Sequence, residues 1–183
     1  MPRIAPLETA DMTAEQRQFH DNIVTGPRGG MRGPFQAWIH SPKFADLAQR
    51  LGEYCRFNSV LEVRQSELAI LVTARQWTAQ FEWFAHAPLA LKGGLSEGVI
   101  ADLRERRQPT FEKADEAAIY NFCTELYRDS RITDATYAET TAQLGEQGVV
   151  DLVGVLGYYA LVSMTLNVFE MPLPDGVEEP LAP

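Results

Sequence analysis

Glu82 and His86 stand four residues apart in Phe81-Glu82-Trp83-Phe84-Ala85-His86, and Glu67 precedes them. On a helix that spacing puts the carboxylate and the imidazole on one face, one turn apart, where they can meet. Trp77, Phe81, Trp83 and Phe84 surround the pair. A carboxylate and an imidazole held against aromatic walls shift in proton affinity, the property that general acid/base catalysis uses. The bland alternative is a helix-surface ion pair worth a few tenths of a kcal/mol. Glu67 alone reads as a first-turn acid facing the helix dipole.

Arg75 lies eight residues after Glu67. Its fork of donors suits a substrate carboxylate, and suits equally a structural pair with one of the glutamates. Phe81 and Trp83 are expected to contribute substrate-binding walls. Pro88, if its helix is continuous, leaves the Phe84 carbonyl without its usual donor beside the pair. Arg28 and Arg32 sit in a loop rich in glycine and proline, Gly26 to Pro34, as further anion-binding candidates. His20 reads as a surface residue and His40 as a loop or helix-end residue. A metal held by Glu67, Glu82 and His86 is conceivable, but the spacing matches no metal motif such as HExxH. No metal is therefore expected.

The rest of the composition narrows the choices. The chain has 183 residues, and 16 basic against 25 acidic side chains give a formal net charge of −9. An acidic chain repels phosphate backbones and anionic membrane surfaces, so neither nucleic acid nor membrane is expected as a partner. Cys55 and Cys123 are the two cysteines. They form no CxxC pair, which argues against a disulfide scaffold, a structural zinc cluster or a dithiol redox motif. Both sit in apolar helical patterns and read as small buried hydrophobes. There is no phosphate-binding glycine motif and no GxSxG elbow. The opening MPRIAPLETADM has no apolar secretory core, and a cytoplasmic location is expected.

The elements that must carry these residues read as helices between short turns. Thr13 and Gln16 resemble a capping box opening a helix to about residue 24. Ser41-Pro42 opens another to about residue 57. Further helices are expected over about 64–77, continuing through 78–92, then 97–107, 113–128 and 133–144. Gly145 to Gly148 breaks the chain, and an apolar helix follows over about 149–169. That last stretch has the length of a membrane span, but Asp151, Asn167 and the lack of basic flanks favour a core or subunit-interface helix. From about residue 171 the chain is Pro-rich and expected to be extended. The fold class is all-α, one domain of seven or eight helices spanning residues 1–183.

The central words resemble the carboxymuconolactone decarboxylase family, which includes alkyl hydroperoxidase D. Its redox-active members carry E-x11-C-x2-C-x3-H followed by a G-L-S turn. Glu67 and His86 occupy the Glu and His positions at that spacing, and Gly94-Leu95-Ser96 occupies the turn. Ala79 and Glu82 stand where the two cysteines would be. The segments Glu67–Arg75, Glu82–His86 and Gly157–Asn167 look like a cysteine-free branch.

The resemblance implies an alkyl hydroperoxidase D-like helical bundle, usually a trimer or hexamer. It also implies that thiol peroxidase chemistry is lost, because neither Ala nor Glu replaces an attacking thiolate. What remains is a cofactor-free lyase or isomerase acting on a small carboxylated or lactone-type metabolite. His86 would be its acid/base, oriented by Glu82 or Glu67. The alternatives are a peroxidase using Cys55 or Cys123, and a small-molecule-binding protein that has lost the chemistry.

Overall fold

A computed structural model describes residues 2–26 and 29–183. Its elements are α1 (Ala14–Thr25), α2 (Phe35–Trp38), α3 (Pro42–Glu53), α4 (Val63–Gln76), α5 (Gln80–Lys92), α6 (Glu97–Arg104), α7 (Ala114–Asp129) and α8 (Asp134–Val168). No strand occurs among the described residues. The fold is all-α, as the punctuation of the sequence predicts.

Several boundaries follow the local rules. Thr13 and Gln16 form the capping box of α1, each side chain bonded to the other's backbone N–H. Pro42 takes the first turn of α3 behind Ser41, although the Ser41 side chain makes no cap bond. Ser96 caps α6 through the Val99 N–H, and Thr133 caps α8 through that of Thr136. Gly145, at φ 72° and ψ 170°, breaks α8 into stretches 134–144 and 146–168. Only glycine enters that region freely, and the expected break falls there.

Other expectations need correction. The helices 64–77 and 78–92 are not continuous. Thr78 has φ 47° and Ala79 is extended at the N-cap of α5, so the chain reverses there. The Asn167 amide donates to the Trp77 carbonyl at 2.7 Å, supporting this turn from α8. The helix expected to reach residue 57 ends at Glu53 and widens into a π turn, Tyr54–Asn58, in which the Ser59 N–H donates to the Tyr54 carbonyl. α6 stops at Arg104, and Arg106 turns left-handed at φ 56°. α2 is a single turn in which Phe35, Ala37 and Trp38 are buried; it was too short to read from periodicity.

α4 is the central helix, packed by α5, α7 and α8, with every residue from Arg64 to Arg75 buried. Leu68, Ala69, Leu71 and Ala74 are fully excluded from solvent and meet Leu152, Val155 and Ile119 in the common core. Three charged residues share that helix, and each needs a partner because an isolated buried charge is very costly. Arg64 donates to Asp115 at 2.7 Å and to Glu116 at 2.8 Å on α7. Glu67 turns to α5. Arg75 donates to the Ala182 carbonyl at 2.8 Å and to the Thr78 hydroxyl at 3.1 Å.

The apolar half of α8 is long and apolar enough for a membrane span, and 61% of its most apolar window is buried in the bundle. It forms the back wall of the core. Beyond Glu170 the tail has no helix, and its end is docked. Leu181 is buried, and its backbone exchanges two hydrogen bonds with the Gln80 side chain, at 2.8 and 2.9 Å.

α3 presents Ala45, Ala48 and Gly52 inward. A Cβ on Gly52 would overlap the Tyr158 hydroxyl. Gly52→Ala is therefore expected to cost about 1–3 kcal/mol by overpacking, read as a lower urea midpoint; an unchanged midpoint would mean that Tyr158 moves aside freely. Asp115 is pulled two ways. Burial raises its pKa, and the bonds from Arg64 and Gln65 outweigh this and hold it below the ordinary carboxylate value. A depressed folded-state value means stability that is present above the ordinary value of about 4 and lost as pH falls through the lowered one. Asp115→Asn should flatten the acid limb of a stability–pH curve, and an unaltered limb would assign acid sensitivity elsewhere.

Candidate active site

α4 and α5 form an antiparallel pair around the turn at Thr78. Their contact brings Glu67 and His86 together across the pair. His86 Nδ1 lies 2.7 Å from Glu67 Oε2, and Nε2 lies 3.2 Å from Glu82 Oε1 on its own helix. The relative exposures are 4% for Glu67, 3% for Glu82 and 5% for His86. The alternative of a surface ion pair is thus overturned: all three groups are buried. With Glu67 ionised, Nδ1 carries the proton and donates to it, which fixes the tautomer and turns Nε2 toward Glu82. Both ring nitrogens face carboxylates, and no group of three or more potential metal ligands occurs among the described residues.

Glu82 lies in the first turn of α5, where the helix macrodipole favours negative charge. Pro88 lies inside the same continuous helix, so the Phe84 carbonyl receives no i+4 donor. Tyr159 of α8 stands edge-on to His86 with ring centroids 5.1 Å apart. Its hydroxyl is buried and has no hydrogen-bond partner among the described residues. Burial, followed by the negative charges of Glu82 and Glu67, pushes this phenol well above its ordinary pKa, with Arg56 opposing.

A cavity of about 320 Å³ opens on this cluster. Glu82, His86, Phe81, Phe84, Tyr158 and Tyr159 line it, while Glu67 does not. The carboxylates thus divide by position: Glu67 braces the ring from behind, and Glu82 shares the cavity face with it. Arg32 and Arg56 complete the wall with Pro34, Phe35 and Val162.

Of the residues expected at the site, Phe81, Glu82 and His86 line this cavity. Trp83 is 3% exposed and packs into the core instead, because it points away from the Glu82–His86 face. Arg75 does not line the cavity, and its guanidinium is engaged by the tail and Thr78. It pairs with neither Glu67 nor Glu82. Arg32 lines the cavity, whereas Arg28 lies outside the described residues. His20 is half-buried beside Asp21, and His40 is exposed, its ring 3.2 Å from the Ala5 carbonyl. Cys55 and Cys123 are buried, and neither lines the cavity. Burial pushes the Cys123 thiol far above its ordinary pKa.

Tyr159 and Arg56 were missed by the sequence reading. Two adjacent tyrosines in an otherwise apolar helix were the available signal for the first. For Arg56 it was a basic residue set between the aromatic Tyr54 and Phe57, next to the apolar Cys55.

No family model and no curated protein matches the sequence. Solved structures do. An uncharacterized peroxidase-related protein from Ralstonia eutropha, described as an alkylhydroperoxidase AhpD core, superposes with a TM-score of 0.78 at 13% identity, over 95% of this chain and 93% of that one. An uncharacterized peroxidase-related protein from Silicibacter superposes with a TM-score of 0.74 at 13% identity, over 93% and 91%. The expected architecture is therefore observed: this chain has the alkylhydroperoxidase AhpD-like helical fold.

Proposed function

We propose that this protein is a cofactor-free lyase or isomerase, of carboxymuconolactone decarboxylase type, acting by acid/base chemistry on a small carboxylated or lactone-type metabolite. The observation that carries the reading is the buried imidazole flanked by two carboxylates on the wall of an aromatic cavity. Glu67 orients the ring. His86 Nε2 and Glu82 are the groups able to exchange a proton with a bound molecule. In a decarboxylation the carbon–carbon bond to the carboxylate breaks and carbon dioxide leaves. The electron pair passes into a conjugated carbonyl as an enolate. His86 or Glu82 then delivers one proton to carbon, and water restores it. Burial excludes competing water and strengthens each charge interaction in the site.

A thiol peroxidase reading is weaker on the same geometry. A thiolate is the attacking species, and the two cysteines are buried away from the cavity. Self-association is also part of the proposal. Leu47 and Leu51 on α3, and Val150 and Val153 on α8, are exposed at 70%, 48%, 70% and 49%. α3 and α8 pack against each other, so an apolar face shared by both suits a second copy of the chain. A cytoplasmic location remains part of the reading, supported by the burial of the apolar helix in the core.

Purified protein is expected to turn over carboxymuconolactone or a related lactone acid. His86→Ala and Glu82→Gln should each lower kcat about 10²-fold or more, and Glu67→Gln should lower it by a smaller factor. Unchanged turnover in His86→Ala would sink the mechanism. Cys55→Ser and Cys123→Ser should leave turnover intact, and hydroperoxide consumption abolished by either substitution would favour the peroxidase instead. Light scattering after size exclusion should give a mass above the 20.5 kDa of one chain, reduced by Leu47→Glu with Val150→Glu; a monomer in the unsubstituted protein would refute self-association through this face.

A further inference from the structure

We propose that Arg56 is the carboxylate-recognition residue of the cavity, so that its ligands carry an anionic group bound by this guanidinium beside His86. The inference takes the cavity to be the substrate site, as the proposed function does, and names the group that selects the substrate. It rests first on where the chain places a positive charge. Ala45, Ala48 and Gly52 form the inward stripe of α3, the buried Cys55 follows in the next turn, and Arg56, the residue after it, is half-buried on the cavity wall. A half-buried cation calls for a partner. At this point the helix widens into the π turn, Tyr54–Asn58, a local departure found frequently at functional sites.

No described residue supplies a carboxylate partner. Among the described residues Arg56 makes no ion pair with a carboxylate, although the chain is acidic overall. Its contact is with a ring, the guanidinium carbon lying 5.3 Å from the centroid of Phe57. The side chain is half-buried and lines the cavity. Partial burial matters, because a desolvated guanidinium binds a carboxylate more strongly than a fully solvated one.

Arg32, the other cation on the wall among the described residues, is exposed on the loop and is the weaker anchor. Tyr159 lies on the same wall with a buried hydroxyl that has no partner among the described residues, and the charge of Arg56 acts on it. The cavity therefore combines a cation, an acid/base pair and aromatic walls within about 320 Å³, room for a small ring acid.

The test uses benzoate and its neutral isostere benzamide, titrated calorimetrically into the full-length protein at neutral pH. Benzoate should bind saturably and at least tenfold more tightly than benzamide. Arg56→Gln, with an unchanged circular dichroism spectrum and melting point, should weaken benzoate tenfold or more and leave benzamide unaffected. Arg56→Lys should fall between. Equal benzoate affinity in the unsubstituted protein and Arg56→Gln would overturn the inference, as would benzamide matching benzoate or an absence of benzoate binding. The lyase reading fails separately: selective benzoate binding through Arg56 with no turnover of lactone acids removes the reaction and keeps the anchor. Turnover insensitive to Arg56→Gln, with no benzoate selectivity, removes the anchor and keeps the reaction.

Discussion

The contact between Glu67 and His86 is the constraint on which the rest of the site depends. Three ionisable groups are taken out of water within one imidazole's length, and an isolated charge there would carry a desolvation cost of several kcal/mol. The arrangement is tolerable because each group is another's partner. It also demands a particular backbone. Glu67 must come from the central helix and His86 from the next one, and the two must run back to back. The left-handed Thr78, the extended Ala79 and the amide of Asn167 produce that reversal. The turn is thus as much a part of the site as the side chains it aligns.

The central helix shows why buried charge and apolar packing coexist here. α4 is closed to solvent along most of its length, yet it carries Arg64, Glu67 and Arg75. Each is answered by a different neighbour: acids on α7, an imidazole on α5 and a carbonyl of the tail. Such pairs contribute little net stability, but breaking one leaves a charge stranded. They act as register marks. A sliding of α5 or α7 along α4 would separate opposite charges while leaving the Leu and Ala contacts nearly as good.

Much of this was legible from residue order. Caps at Thr13, Ser96 and Thr133 and the break at Gly145 are local chemistry, so they read directly. The Glu67 and His86 spacing also reads, through the resemblance of its segment. What did not read is what only tertiary packing decides. Trp83 is as aromatic as Phe81, and a face differing by two residues sends one to the core and the other to the cavity. Arg75 carries the right functional group, but its position on a buried helix beside the tail commits it elsewhere. The π turn at Tyr54–Asn58 depends on a hydrogen-bond shift of one residue, which has no compositional sign. Tyr159 enters the site from a helix far away in sequence. Likewise, 13% identity to the superposed structures leaves the fold visible where neither family model nor curated protein matches.

The docked tail has a consequence for handling the protein. Leu181 and Ala182 bond to Gln80 and Arg75, which bracket the α4–α5 reversal. Gln80 is two residues from Glu82. The last residues of the chain therefore act as a splint across the hinge that aligns the acid/base pair. An affinity tag or fusion partner joined after Pro183 would pull on that splint.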